Sequence, residues 1–349
     1  MTTPPLSGSS RSTKAALRLG TRGSALALAQ SQATAAALTA ATGRPVDLVR
    51  IVTAGDRSAA PVTELGVGVF VSALRDALLA GEIDFAVHSY KDLPTGEHAG
   101  LHIAAVPRRE DPRDVLIARG GRTLAELPAG SVIGTGAVRR IAQLRALGLQ
   151  LQVSPIRGNV DSRIARVLGP QADLDAVVLA RAGVARLGRQ AEITETLDPT
   201  LMLPAPAQGA LAVECRAGDA DLVELLAALD HAPSRAAVLA ERAMLATLEA
   251  GCSAPVAAYA HLTGGEPMGS VIGGEPLGSV AGDGLVGSVI GGDNGDQMIY
   301  LRGAVFSPDG TRAVRLSRTG TPADAAEIGK ALAADLLDAG ADTLMGSTE

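Results

Sequence analysis

The sequence predicts an α/β protein whose strands and helices alternate as in parallel sheets, followed by a smaller α+β unit. Three observations predict it. Through most of the chain one plan recurs: an apolar β-type run, a turn rich in Gly, Thr and Arg, then a helix. A charged stretch, Arg108-Arg109-Glu110-Asp111-Pro112-Arg113-Asp114, interrupts that plan as a crossover between domains would. The last part changes to strand, turn, strand and helix. At 349 residues there is room for two or three domains.

The elements follow in order. Leu17-Arg18-Leu19 leads through Gly20-Thr21-Arg22-Gly23-Ser24 into an Ala/Leu-rich helix around Leu26–Leu38. Pro45–Thr53 is a strand ending at Ala54-Gly55-Asp56. Gly66-Val67-Gly68 lacks the glycine fingerprint and following lysine of a phosphate loop, so it reads as a tight turn before a helix over Phe70–Ala80. Ile83–Val87 is a short buried strand that ends at His88-Ser89-Tyr90-Lys91-Asp92, and Leu101–Val106 is a further apolar run. After the charged stretch, Ser131-Val132-Ile133 feeds Gly134-Thr135-Gly136-Ala137-Val138-Arg139-Arg140 and a helix through Leu147. Gln152–Ile156 feeds Arg157 to Arg163 and a second helix; Ala176–Ala180 feeds Arg181 to Arg186. Pro204 to Gly209 is a punctuated loop before the strand Ala210–Cys215, and a helical region runs to Leu248.

Gly264–Val289 differs in kind. GGEPMGSV recurs as GGEPLGSV and, degraded, as GDGLVGSV, with neither helical nor strand period, which reads as a flexible surface insertion. Met298–Phe306, a turn at Ser307-Pro308-Asp309-Gly310, Thr311–Ser317 and a helix over Ala323–Ala339 complete the α+β unit.

Composition excludes several classes. Hydrophobic residues are 47% but aromatics only 2%, so the core is built from Ala, Val and Leu. A net charge of −6 and few rings for base stacking argue against a nucleic-acid partner. Two cysteines make no disulfide framework, which fits a reducing cytoplasm. No apolar run reaches the roughly 18 residues of a membrane helix. The N-terminal MTTPPLSGSSRSTKAA lacks the apolar segment of a secretory signal and reads as a short disordered tail. The five histidines show no zinc spacing, so no metal is expected.

Ligands of open α/β sheets bind at the carboxyl ends of strands. Arg22, Arg139, Arg140, Arg157, Arg163 and Arg186 all fall at such ends, where guanidinium forks match carboxylates or phosphates. Lysine is rare, at Lys14, Lys91 and Lys330 only, yet Lys91 sits in the densest polar motif. Beside it Asp92 can steer a proton or stabilise a developing cation, or the two can be a plain surface pair; spacing alone leaves both readings open. Cys215, flanked by strand residues, reads as packing. For Cys252, in Leu248-Glu249-Ala250-Gly251-Cys252-Ser253-Ala254-Pro255, the bare sequence favours burial over chemistry.

The segments GTRGSALALAQ, VTAGD, AVHSYKDLPT, REDPRD, GTGAVRR, RGNVDSR, LPAPAQGALAVECR and LEAGCSAP resemble, in this order, those of the porphobilinogen deaminase family, also called hydroxymethylbilane synthases. The resemblance runs from about Arg18 to Tyr259 and more loosely from Tyr300 onward. It implies a tetrapyrrole-pathway transferase that condenses four porphobilinogen molecules into a linear tetrapyrrole and releases ammonia at each step. It further implies a dipyrromethane cofactor held by a thioether at Cys252 and a catalytic carboxylate at Asp92. By the same resemblance, Lys91, Arg139, Arg140, Arg163, Ser89, Thr135 and Asp56 fall to the cofactor. Arg22, Ser24, Arg157, Arg186 and Gln208 fall to the substrate. Each pyrrole brings two carboxylates, which accounts for so many arginines in an acidic chain.

The implied fold is two α/β domains facing across a cleft, like type II periplasmic binding proteins, plus a small C-terminal α+β domain. It divides the chain into a disordered tail at 1–15, a first domain over 16–108 and 210–227, a second over 113–203 and a third over 232–345, with the Gly-rich insertion at 264–296. A cytoplasmic monomer that hands its product to uroporphyrinogen-III synthase is the family expectation. The chain departs from many relatives at Thr63 and Val67, where lysine is common, and at Gly136 and Ala137, where serines are common. The rival reading is a two-lobed polycarboxylate-binding or sensor protein without catalysis; it has no need of Cys252.

Overall fold

The computed structural model describes residues 15–51, 69–250, 254–263 and 297–345. Asp56, the glycine turn at Gly66–Gly68, Cys252, the insertion at 264–296 and nearly all of the expected tail lie outside the described residues.

The chain begins with β1 (Leu17–Thr21), α1 (Ala25–Thr42), β2 (Val46–Arg50), α2 (Val69–Leu79), β3 (Phe85–Ser89) and β4 (Leu101–Ala105). Local chemistry sets the boundaries of α1. Ser24 is extended and its Oγ accepts the Ala27 N–H, while Gly43 at φ 67° ends the helix; an N-cap of this kind contributes ~1 kcal/mol. β3 buries its first four residues, which is why Phe-Ala-Val-His shows no in–out alternation.

A second sheet follows, from β5 (Asp114–Ala118), β6 (Val132–Gly134), α3 (Val138–Ala146), β7 (Gln152–Ser154), α4 (Val160–Leu168), β8 (Ala176–Ala180), α5 (Arg181–Arg186) and β9 (Glu195–Thr196). The chain then returns to the first sheet as β10 (Leu211–Arg216), inserted between β3 and β4. The two sheets share one plan, β2-β1-β3-β10-β4 and β7-β6-β8-β5-β9.

Each is mixed, not parallel as the strand–helix alternation predicts. β5 runs antiparallel to β8, and β10 antiparallel to β3 and β4. The reason is the connection. β5 and β10 each follow a crossover from the other lobe, so each enters where the parallel strands finish and runs back; Asp114 faces Ala180 and Leu211 faces Ser89.

After α6 (Ala220–Leu226), the third unit comprises α7 (Ala232–Thr247), an antiparallel sheet of β11 (Val256–Thr263), β12 (Met298–Phe306) and β13 (Ala313–Gly320), and α8 (Ala325–Asp338). Ala240 and Met244 of α7 and Leu332 and Leu336 of α8 pack against Ala258 and Leu301 of the sheet.

The three units meet at one buried ion pair. Glu241 of α7 accepts from both guanidinium nitrogens of Arg109, at 2.7 and 2.9 Å, with both side chains at 0% exposure. Its oxygens also accept the N–H groups of Ala207 and Ala260, and Arg109 Nε donates to the Gln208 carbonyl. With every lone pair engaged, the desolvation cost of the charges is offset. Gly209 lets the two crossovers run side by side: at its φ of 87° a Cβ would lie 2.5 Å from the Glu110 carbonyl oxygen. Gly310 likewise seats the third unit's turn on α3, where a Cβ would lie 2.4 Å from the Ala142 carbonyl oxygen.

Candidate active site

The parallel strands of both lobes end toward the crossovers, and the turns that follow them carry the polar residues. A cavity between the lobes is walled by Ser89 and Lys91 from the first lobe and by Arg140, Arg163 and Arg186 from the second. Gln30 of α1, only 5% exposed, joins the same wall, and its Nε2 donates to Ser89 Oγ at 2.9 Å.

Behind this wall lies a buried polar layer centred on Asp114, the first residue of β5. Its carboxylate, at 0% exposure, accepts from Arg139 and Arg140 at 2.8 Å each and from Gln208 Nε2 at 2.7 Å. Burial alone pushes this carboxyl upward, but the two guanidinium groups and the hydrogen bonds outweigh it and bring it down to about 2. Gln208 also donates to the Pro112 carbonyl, and its Oε1 accepts from Lys91 Nζ at 3.3 Å.

The two adjacent arginines part company here. Arg139 donates to the Leu203 carbonyl and Asp114, so both ends of its fork serve the protein. Arg140 donates to Val178 and Asp114, yet its buried Nε has no partner among the described residues while the side chain walls the cavity. Such an orphan donor on a cavity wall fits an anionic ligand.

Lys91 is half-buried, and desolvation dominates its titration. Asp92 opposes that shift, Arg140 adds to it, Asp114 opposes it and Arg139 adds a little; the ammonium is left at about 8. Burial also lowers Arg163, with Arg140 and Arg157 adding to it, and lowers Arg186 against the opposing charge of Glu110. Arg163 Nε donates to the Gly158 carbonyl and Arg186 donates to the Gly209 carbonyl, which fixes each fork while leaving other donors.

The remaining expected residues sit around this centre. Asp92 is exposed at the end of the turn Tyr90–Asp92, and among the described residues its carboxylate takes no hydrogen bond. Ser24 is the cap of α1, and Arg22 lies half-buried just before it. Thr135 is fully buried, its Oγ1 accepting the Ala137 N–H at 3.4 Å, and Arg157 is exposed on the loop after β7. Cys215 packs with Phe85 and Leu222 in the first lobe's core, and burial pushes its thiol up to about 11.

Sequence reasoning missed Gln30, Asp114 and Glu241. Signals for two were present. Asp114 opens an otherwise apolar strand, where a charge needs partners; Glu241 falls on the helical stripe of Ala237, Ala240 and Met244. Among the described residues no cluster of His, Cys, Asp and Glu could hold a metal, and no helix is long and apolar enough to cross a membrane.

Residues 17–224 match the family described as porphobilinogen deaminase, dipyromethane cofactor binding domain, and residues 235–272 match the porphobilinogen deaminase C-terminal domain. Similar curated proteins include the porphobilinogen deaminase of Nocardia farcinica, 54% identical over 330 residues, spanning 94% of this chain and 88% of the relative. That of Mycobacterium tuberculosis is 53% identical over 330 residues, spanning 94% and 98%. Among solved structures, a periplasmic substrate-binding protein of an ABC transporter from Coxiella burnetii aligns over 64% of this chain and 94% of its own, at 15% identity and a TM-score of 0.40.

Proposed function

The chain belongs to the porphobilinogen deaminase family, and from that premise we propose which of its residues carry the reaction. The protein is a transferase that condenses four porphobilinogen molecules into a linear tetrapyrrole with release of ammonia, on a covalently bound dipyrromethane. One observation carries the residue assignment: Lys91, Arg140, Arg163 and Arg186 converge on one cavity, with a buried Arg140 donor free to meet a carboxylate.

Those cations suit a group rich in acetate and propionate, so the residues present fit the dipyrromethane. Lys91, Arg140, Arg163 and Ser89 would hold it, with Asp56 and the Cys252 thioether contributed from outside the described residues. When bound, it supplies the terminal pyrrole to which substrate units are joined. Arg22, Ser24, Arg157 and Arg186 take the incoming substrate's carboxylates. Arg139 and Gln208 act from behind, keeping Asp114 ionised and Lys91 in place, while buried Thr135 accepts the Ala137 N–H in the turn that leads to Arg140.

Asp92 is the catalytic carboxylate. Exposed and without a hydrogen-bond partner among the described residues, it is open to accept substrate pyrrole N–H bonds and to stabilise the positive charge that develops on them. The same oxygens can take up and return a proton. Lys91 beside it meets a substrate anion. In this reading the protein works in the cytoplasm as a monomer, and its product passes to uroporphyrinogen-III synthase.

The test is Asp92→Asn, which keeps the shape and removes the charge. Purified variant and wild type are compared for porphobilinogen turnover, with circular dichroism as the check on folding. A folded variant slower by ~10² or more supports the role; a near-normal rate refutes it.

A further inference from the structure

Arg242 of α7 reaches the turn that presents Lys91 and Asp92. One guanidinium nitrogen donates to the carbonyls of Tyr90 and Leu93, at 3.2 and 3.1 Å, and the other to that of Pro94 at 2.6 Å. The guanidinium carbon also stands 4.3 Å from the centre of the Tyr90 ring, within cation–π range. The arginine therefore grips the backbone on both sides of Lys91 and Asp92.

The turn needs such a grip. It is a three-residue 3-10 element, held by Leu93 N–H donating to Tyr90 and Tyr90 N–H donating to Ala210. One turn of this kind is a poor mount by itself. Its outgoing carbonyls would otherwise depend on water, and a planar fork with several fixed donors serves three of them at once.

The helix that supplies the fork is itself fixed. Glu241, the preceding residue, is locked to Arg109, Ala207 and Ala260. The same helix ends at Thr247 and leads through Leu248, Glu249 and Ala250 toward Cys252. One element therefore sets the catalytic turn and begins the segment that bears the anchoring thiol.

We propose that Arg242 is a positioning residue for the condensation: by holding the carbonyls of Tyr90, Leu93 and Pro94 from the helix that leads to Cys252, it fixes where the Asp92 carboxylate stands relative to the bound pyrroles. This rests on the reading of Asp92 as the catalytic carboxylate.

The test compares wild type, Arg242→Ala, Asp92→Asn and the double variant for porphobilinogen turnover. Intact mass checks cofactor loading, and amide hydrogen exchange reads the segment 88–95. Arg242→Ala is expected to keep the cofactor adduct, to speed exchange in that segment, and to lower kcat roughly 10- to 100-fold with KM within about threefold. In the Asp92→Asn background the same change is expected to cost less than about threefold, because the group it positions is already gone. Equal losses in both backgrounds, or an unchanged kcat and exchange, would overturn the proposal.

Should Arg242→Ala not fold, Arg242→Lys replaces it, keeping the charge without the fork. An intermediate kcat with faster exchange supports the proposal, and wild-type kcat and exchange overturn it. Failure of the underlying reading looks different: wild type does not turn over porphobilinogen, or Asp92→Asn is as active as wild type.

Discussion

Replacing Asp114 by Asn should be among the most damaging single changes outside the cavity itself. The carboxylate is fully buried and accepts from two arginines and one amide. Against burial, which pushes it up, the guanidinium groups of Arg139 and Arg140 hold its carboxyl at about 2, well below the ordinary carboxylate range, which corresponds to about 2 kcal/mol of stability. Because the folded value is depressed, that contribution is fully present above about pH 4 and is lost only as pH falls toward 2.

Asn forfeits more than this. It leaves two nearly buried guanidinium groups without a counter-charge, and its amide turns a donor toward one of them. Breaking a buried pair from one side costs about 3–5 kcal/mol, on the order of 10 °C in Tm. Thermal and urea unfolding, followed by circular dichroism at pH 7 and pH 4.5, measure it. The deficit should be the same at both pH values, since the wild-type carboxylate is ionised throughout. A loss below about 1 kcal/mol would refute the reasoning.

Three further outcomes are expected. Since burial leaves Lys91 at about 8, kcat/KM for porphobilinogen should fall above that pH as the ammonium is lost, about tenfold per unit, and Lys91→Arg should move this limb to higher pH; an identical limb in both proteins contradicts the role. Stability has the opposite slope: the unfolded chain binds the extra proton between about 8 and 10.5, so this group makes the fold more stable as pH rises through that window. Replacing 264–296 by a short turn should leave turnover largely intact, because Thr263 and Met298 are paired neighbours that a hairpin turn can join; loss of folding or activity would overturn the reading of the repeat as a surface insertion.

The residues that face the cavity were legible because parallel strands deliver their polar turns to one end, and Lys91, Arg140, Arg163 and Arg186 follow four such strands. What local pattern cannot report is which way a side chain leaves its helix. Arg139 and Arg140 are indistinguishable as neighbours in sequence, yet one turn of about 100° per residue sends the first back to Leu203 and the second to the cavity wall. Strand direction was hidden for a similar reason: alternation of strands and helices does not reveal that β5 and β10 arrive from the opposite lobe. Asp114 and Arg109 looked like members of a charged loop, because their partners Arg139, Arg140 and Glu241 lie far along the chain.

We propose that Cys252 carries the dipyrromethane within the cavity lined by Lys91, Arg140, Arg163 and Arg186. Intact-mass measurement of protein purified from a haem-competent host tests it most directly. Wild type is predicted to be heavier than the bare polypeptide by one dipyrromethane unit, and Cys252→Ala to have the polypeptide mass alone. A wild-type mass equal to the bare chain, or an adduct that persists in Cys252→Ala, would contradict the account.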